Sequence, residues 1–221
     1  MSEILELARE ISDYTICGEG NVSQRQSDTS FLVKASGSSL HNLSETDLTL
    51  CDLNGKKINF DHKKPSIETL FHAWIMKNFP EVNYVAHTHP THTNKILCTD
   101  HIYGFAINRL FPDQVIRNGK KSCVVPYATP GKKLLIEIER SVNSFIDNEG
   151  YFPKLILLQN HGIIVASSSY QECIASTFMC EKSAQIFIGS MNLGKCNFLD
   201  PNLINEVFDC PNEKYRRELL K

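Results

Sequence analysis

Helical and strand-like segments alternate along this chain, which predicts a mixed α/β protein built as one domain over residues 1–221. Apolar residues at helical spacing open the chain at Ile4, Leu7, Ala8 and Ile11, while Val82–Ala86 and Leu155–Leu158 are apolar runs of strand length. No repeat, low-complexity stretch or linker divides the 221 residues. At 42% hydrophobic content the chain suffices to bury one core, or at most two small ones.

Composition narrows the function classes. A formal net charge of −2 gives no case for a nucleic-acid or membrane-surface partner. No apolar run approaches the ~20 residues that span a bilayer. The start Met1-Ser2-Glu3-Ile4-Leu5-Glu6 is acidic and amphipathic, unlike a signal peptide, so a cytoplasmic location is expected. The eight cysteines contain no Cys-x-x-Cys pair and read as small apolar residues of a reducing compartment. Any metal is then held by nitrogen and oxygen.

In order along the chain, residues 3 to 13 should form an amphipathic helix. Cys17-Gly18-Glu19-Gly20-Asn21-Val22-Ser23 reads as a glycine-rich loop, either a plain turn or one whose backbone N–H groups face an anion. Phe31–Ala35 is a strand running into Ser36-Gly37-Ser38-Ser39, again an ordinary turn or a second set of anion donors. Leu48–Asp52 is a strand, Asn54-Gly55 a hairpin signal, and Lys56–Phe60 the returning strand. Pro65 opens a helix from Ser66 to about Phe79, with Ile67, Leu70, Phe71 and Trp74 on its buried face. Glu68 falls in its first turn, where the helix dipole alone would explain a carboxylate; His72, one turn on, is in reach of it.

The strand Val82–Ala86 continues into His87-Thr88-His89-Pro90. Residues two apart share a face of a strand, so His87 and His89 can share a metal ion; a polar strand end explains the same two residues. Thr91–Cys98 reads as a short helix that turns His92 away from the pair. Phe111–Val115 looks like a loop leading into a strand, and Cys123–Tyr127 is a strand. Helices follow over 132–147 and 170–190, with a helical stretch near Glu206 and a charged end around Tyr215. Between them, the strands Leu155–Leu158 and Ile163–Ala166 flank the turn Asn160-His161-Gly162. A histidine in a tight turn between buried strands is costly unless paired, which singles out His161.

The ordered set Gly20-Asn21-x-Ser23, Ser36-Gly37, Lys64-Pro65-Ser66-x-Glu68, His87-x-His89-Pro90 and Asn160-His161-Gly162 resembles the class II aldolase and adducin family, in particular its fuculose-phosphate aldolase-like members. The resemblance implies a three-layer fold, with a central, largely antiparallel sheet flanked by helices. It implies a homotetramer with active sites at subunit interfaces, acting on a small sugar phosphate. By motif, it makes His87, His89 and His161 zinc ligands and Glu68 both a fourth ligand and the acid/base. Such donors suit Zn2+, and Mn2+ or Co2+ as well. Asn21, Ser36, Gly37 and Ser66 would hold the substrate phosphate on a loop shaped by Gly20, and Tyr215 would be a catalytic tyrosine near the end of the chain. One departure is Ile67, where family aldolases often carry a second serine and so a further phosphate donor.

The activity the resemblance implies first is an aldolase: retro-aldol cleavage of a phosphorylated ketose, giving dihydroxyacetone phosphate and an aldehyde. A metal would stabilise the enediolate. Sugar-phosphate 4-epimerases share the site but tend to carry Asp where Glu68 stands; decarboxylases and dehydratases of the family are further alternatives. A non-catalytic module like the adducin head would have lost metal ligands, whereas all four candidates are present.

Overall fold

The computed structural model describes residues 2–59 and 62–219. Its centre is a seven-stranded sheet formed by β1 (Asn21–Ser27), β2 (Ser30–Lys34), β3 (Leu48–Asp52), β4 (Tyr84–Thr88), β5 (Cys123–Val125), β6 (Leu155–Leu158) and β7 (Gly162–Ser167). The spatial order is β3-β2-β1-β4-β7-β6-β5, and every neighbouring pair is antiparallel except β5–β6.

Alternation along the strands divides the core in two. Leu155 and Leu157 of β6, and Ile163 and Val165 of β7, join one cluster with α1 (Glu3–Ile11), α3 (Thr91–Leu97), α4 (His101–Ile107) and α7 (Tyr170–Leu193). Their neighbours Ile156, Leu158, Ile164 and Ala166 join the other, with α2 (Thr69–Asn78) and α6 (Lys132–Glu149). The result is the three-layer α/β fold expected. Among the described residues, α5 (Pro112–Asn118), α8 (Pro201–Asp209) and α9 (Pro211–Glu218) complete the helices. Among the described residues no helix is long and apolar enough to cross a membrane, and no disulfide joins the cysteines.

Four expectations are corrected. The segment after Gly20 is strand rather than loop, because Asn21–Gln24 pair with β4 and Ser23 and Gln24 pair with β2 as well. Phe111–Val115 is not a loop entering a strand: Pro112 fills the first position of α5, where its missing N–H costs nothing, and Leu110 N–H is held by the Gln114 side chain. Ile67 is not on a buried face; it is 66% exposed, since α2 begins only at Thr69. Lys56–Phe60 does not form a strand: the Asn54-Gly55 turn is present, but the return is a single bridge from Lys57 to Cys51, and Phe60 lies outside the described residues.

Candidate active site

His87 is the fourth residue of β4, fully buried, on the face toward α2, where Phe71 meets its ring edge-on. Its Nδ1–H donates to the Ile163 carbonyl of β7 at 2.8 Å, which leaves the Nε2 lone pair facing inward. His89 lies just past the strand end, tied down by its N–H to the Tyr14 carbonyl at 2.9 Å. Its Nε2 is 3.0 Å from His87 Nε2, and its Nδ1 is 3.4 Å from Glu19 Oε2. His161 is presented by the β6–β7 turn, in which Asn160 takes a left-handed φ of 54°, and Asn94 Nδ2 holds the His161 carbonyl at 3.1 Å. One nitrogen from each ring converges, all within 4.8 Å of one another.

Burial, followed by the neighbouring His89, pushes His87 down to about 3. Burial and then His87 push His161 down to about 4, against the pull of Glu68. Both rings are therefore neutral at neutral pH, with lone pairs free.

Glu68 occupies the N-cap position of α2, one residue before its first turn, and is 8% exposed. Its Oε2 accepts from Asn21 Nδ2 at 2.8 Å and stands 3.4 Å from His87 Nε2. Its Oε1 is buried without a hydrogen-bond partner, 3.4 Å from His161 Nε2. Three converging imidazole nitrogens and an under-satisfied carboxylate oxygen are donors that fit a divalent cation, with His87, His89, His161 and Glu68 as the residues that would hold it. Sequence reasoning missed Glu19, whose position beside His89 is set by the loop: its carboxylate also accepts from Ile16 N–H at 3.0 Å.

His72 does not reach Glu68 directly, because Asn21 lies between them. The Asn21 side chain bonds His72 Nε2 through Oδ1 and Glu68 through Nδ2. The other expected phosphate residues do come together. Gly18 abuts Gly37 across the two loops, Ser36 N–H donates to Lys64 at 2.8 Å, and Ser66 N–H reaches the Lys34 carbonyl. Gly20 is fixed by close approach: with φ +65°, an added Cβ would lie 2.7 Å from the His87 carbonyl. Buried Lys34, read in the sequence only as part of a strand, stitches these loops by donating Nζ to the Gly18 and Ser38 carbonyls at 3.0 and 2.5 Å. Tyr215 is 66% exposed on α9, which packs on α5 and α8. His92 pairs with Glu181 at 2.8 Å and takes no part in the triad.

This sheet, with three imidazoles gathered at the ends of β4 and β6, is that of a known class. Residues 2–188 match the Class II Aldolase and Adducin N-terminal domain, and the chain belongs to that family. It is 34% identical over 175 residues to 3-oxo-tetronate 4-phosphate decarboxylase of Haemophilus influenzae, covering 79% of each chain. It is 29% identical over 173 residues to L-fuculose phosphate aldolase of Methanococcus maripaludis, covering 78% of this chain and 86% of that one. Among solved structures, YgbL of Escherichia coli, whose reaction is given as aldolase, epimerase or decarboxylase, superposes with a TM-score of 0.78. That match has 26% identity and covers 94% of this chain and 96% of YgbL.

Proposed function

We propose that the protein is a metal-dependent lyase that breaks the bond between the carboxyl carbon and the carbon α to the ketone of a small phosphorylated sugar acid, releasing carbon dioxide. The observation that carries this reading is the buried, unpartnered Glu68 oxygen beside three converging imidazoles, next to the joined loops at Gly18, Gly37 and Ser66. The relative sharing 34% identity is named for such a decarboxylation. A second reading, favoured by the aldolase relative, is retro-aldol cleavage with an aldehyde as the leaving group.

The two readings share a half-reaction. Loss of carbon dioxide from a 3-oxo-tetronate 4-phosphate leaves the enediolate of dihydroxyacetone phosphate, as does loss of an aldehyde from a ketose 1-phosphate. In both, one proton must then reach carbon, and Glu68 is the residue that carries it. Asn21 holds one Glu68 oxygen while the other faces the site. A divalent cation, zinc by donor type, supplies Lewis-acid stabilisation of the charge that develops on the ketone oxygen. The loops stitched by Lys34 hold the phosphate, with Ser36, Gly37 and Ser66 facing it. A homotetramer, in which Tyr215 reaches a neighbouring subunit's site, completes the proposal.

The test is proton exchange at the hydroxymethyl carbon of dihydroxyacetone phosphate in heavy water, with and without chelator, alongside carbon dioxide release from a 3-oxo-tetronate 4-phosphate. Chelator-sensitive exchange with release supports the decarboxylase, and exchange without release supports the aldolase. The absence of both, in protein that binds zinc, refutes the two readings. Glu68→Gln should retain zinc and lose exchange.

A further inference from the structure

The lyase reading leaves a buried ring without a task. His72 lies on the first turn of α2, fully buried, stacked on Phe71 with ring centres 4.5 Å apart. Phe71 also meets the His87 ring edge-on, so it packs against both imidazoles. Both nitrogens of His72 are spoken for, and both by β1. Nδ1 meets Ser23 Oγ at 2.7 Å, and Nε2 meets Asn21 Oδ1. Asn21 and Ser23 lie two apart on one strand and so share the face turned to α2. Asn21 stands opposite His87 in the β1–β4 register, which brings its amide to the edge of the triad.

These bonds have a direction. An asparagine amide presents either an oxygen or an NH2 to a given neighbour, and the two ends look alike in shape. Toward a carboxylate only the NH2 end is tolerable. The NH2 faces Glu68 only if the oxygen faces a donor on the other side, which requires His72 to carry its proton on Nε2. In the opposite tautomer, the bare Nε2 would draw the NH2 to itself and turn the amide oxygen against the carboxylate. The tautomer follows from the carboxylate: with the Asn21 NH2 committed to Glu68, Nε2 carries the proton, and the bare Nδ1 accepts from the Ser23 hydroxyl. Burial keeps the ring neutral, so one nitrogen stays an acceptor.

We propose that His72 is a positioning residue for the Glu68 carboxylate, acting through Asn21. The order of control runs from the imidazole tautomer to the Asn21 amide, to the Glu68 oxygen it holds at 2.8 Å, with the Ser23 hydroxyl seated on the other ring nitrogen. The Glu68 oxygen left free is then Oε1, 3.4 Å from His161 Nε2. The inference rests on the metal-site reading above.

Two polar substitutions separate this role from simple packing. Glutamine carries its terminal nitrogen about where the imidazole carries Nε2, whereas asparagine carries its own about where Nδ1 lies. His72→Gln keeps the donor toward Asn21, and His72→Asn keeps only the contact to Ser23. Zinc affinity is measured by competition with a chromophoric chelator, and the melting temperature of the metal-free protein is recorded for each variant. His72→Asn should bind zinc about tenfold more weakly, the usual size for loss of an outer-shell partner, and His72→Gln should stay within about threefold of the native protein. Equal affinities for the two variants, in either direction, overturn the proposal.

His87→Ala serves as the control. If it loses zinc while the two His72 variants bind alike, only the positioning role falls. If it binds zinc as the native protein does, the metal-site reading fails and takes the proposal with it. Should both His72 variants fail to fold, nitrogen NMR of the native imidazole decides. A proton on Nε2 supports the assignment, and a proton on Nδ1 overturns it.

Discussion

Gly162 is the first residue of β7, and replacing it with alanine tests the packing of the candidate site. A Cβ there would lie 2.5 Å from His89 Cδ2, 2.5 Å from the Thr88 carbonyl oxygen and 3.3 Å from His87 Cε1. The Thr88 oxygen cannot give way cheaply, because it belongs to β4, which is paired to β7 through Thr88 itself. Restoring van der Waals contact takes a separation of roughly 1 Å, drawn from the β4–β7 pairing and the His89 ring. Overpacking of this kind costs about 1–3 kcal/mol, which for a chain of this length is a fall in Tm of roughly 2–10 °C. A 1 Å displacement of His89 also exceeds the ~0.5 Å tolerance of a preorganised site, so zinc affinity should fall at least tenfold. Circular-dichroism melts of the metal-free protein and chelator competition measure the two effects. Gly189→Ala is the internal contrast: its Cβ meets open space within α7, and it should gain up to ~1 kcal/mol from helix propensity. If Gly162→Ala melts within 1 °C of the native protein and holds zinc equally well, the close approach does not constrain the site.

Three other perturbations have signs set by the structure. The metal-free protein should lose stability as pH falls below about 6.5: His87 and His161 stay neutral in the fold down to about 3 and 4, while the unfolded chain takes up their protons. That difference is worth roughly 2 kcal/mol for each between pH 7 and 5, and denaturant midpoints that do not change over this range would contradict it. Glu19→Ala should raise the zinc dissociation constant up to about tenfold by removing the carboxylate 3.4 Å from His89 Nδ1; an unchanged constant would make that contact incidental. Arg109→Met should cost at least about 2 kcal/mol in urea unfolding, since the fully buried guanidinium donates to the carbonyls of Gly119, Ala106 and Asn108 and to the Ser122 hydroxyl, and of these the Ala106 carbonyl keeps the Ser122 N–H as a donor. An unchanged urea midpoint would mean that the loops satisfy themselves.

Much of this architecture is written in local patterns. Ile4, Leu7, Ala8 and Ile11 are all fully buried, as their spacing requires, and the runs at Leu155 and Ile163 are paired strands covered on both faces. What escaped the sequence depends on partners distant in the chain. Asn21–Ser27 carries polar residues that look like loop, and becomes strand because β2 and β4 take up its backbone groups on either side. Pro112 resembles a strand breaker until its place at the start of α5 is seen. At the site, the convergence of His87, His89 and His161 follows from motifs alone, but the part played by Asn21 does not. Its amide is taken by His72 and Glu68, residues 51 and 47 positions away, and no local window contains that bond. Glu19 is likewise visible only once the Ile16 turn has folded its carboxylate back toward His89.

The register of β1, β4 and β7 has a consequence for biosynthesis. Two of the three imidazoles leave the ribosome together, but the third follows 72 residues after His89, and it reaches them only when β7 has zipped onto β4. A partly made chain therefore offers a bidentate nitrogen pair, too weak a chelator to retain a scarce cation against cellular competitors. Capture of the proposed cation would then wait until the sheet has closed around His87, so that a finished cavity rather than a nascent peptide would select it.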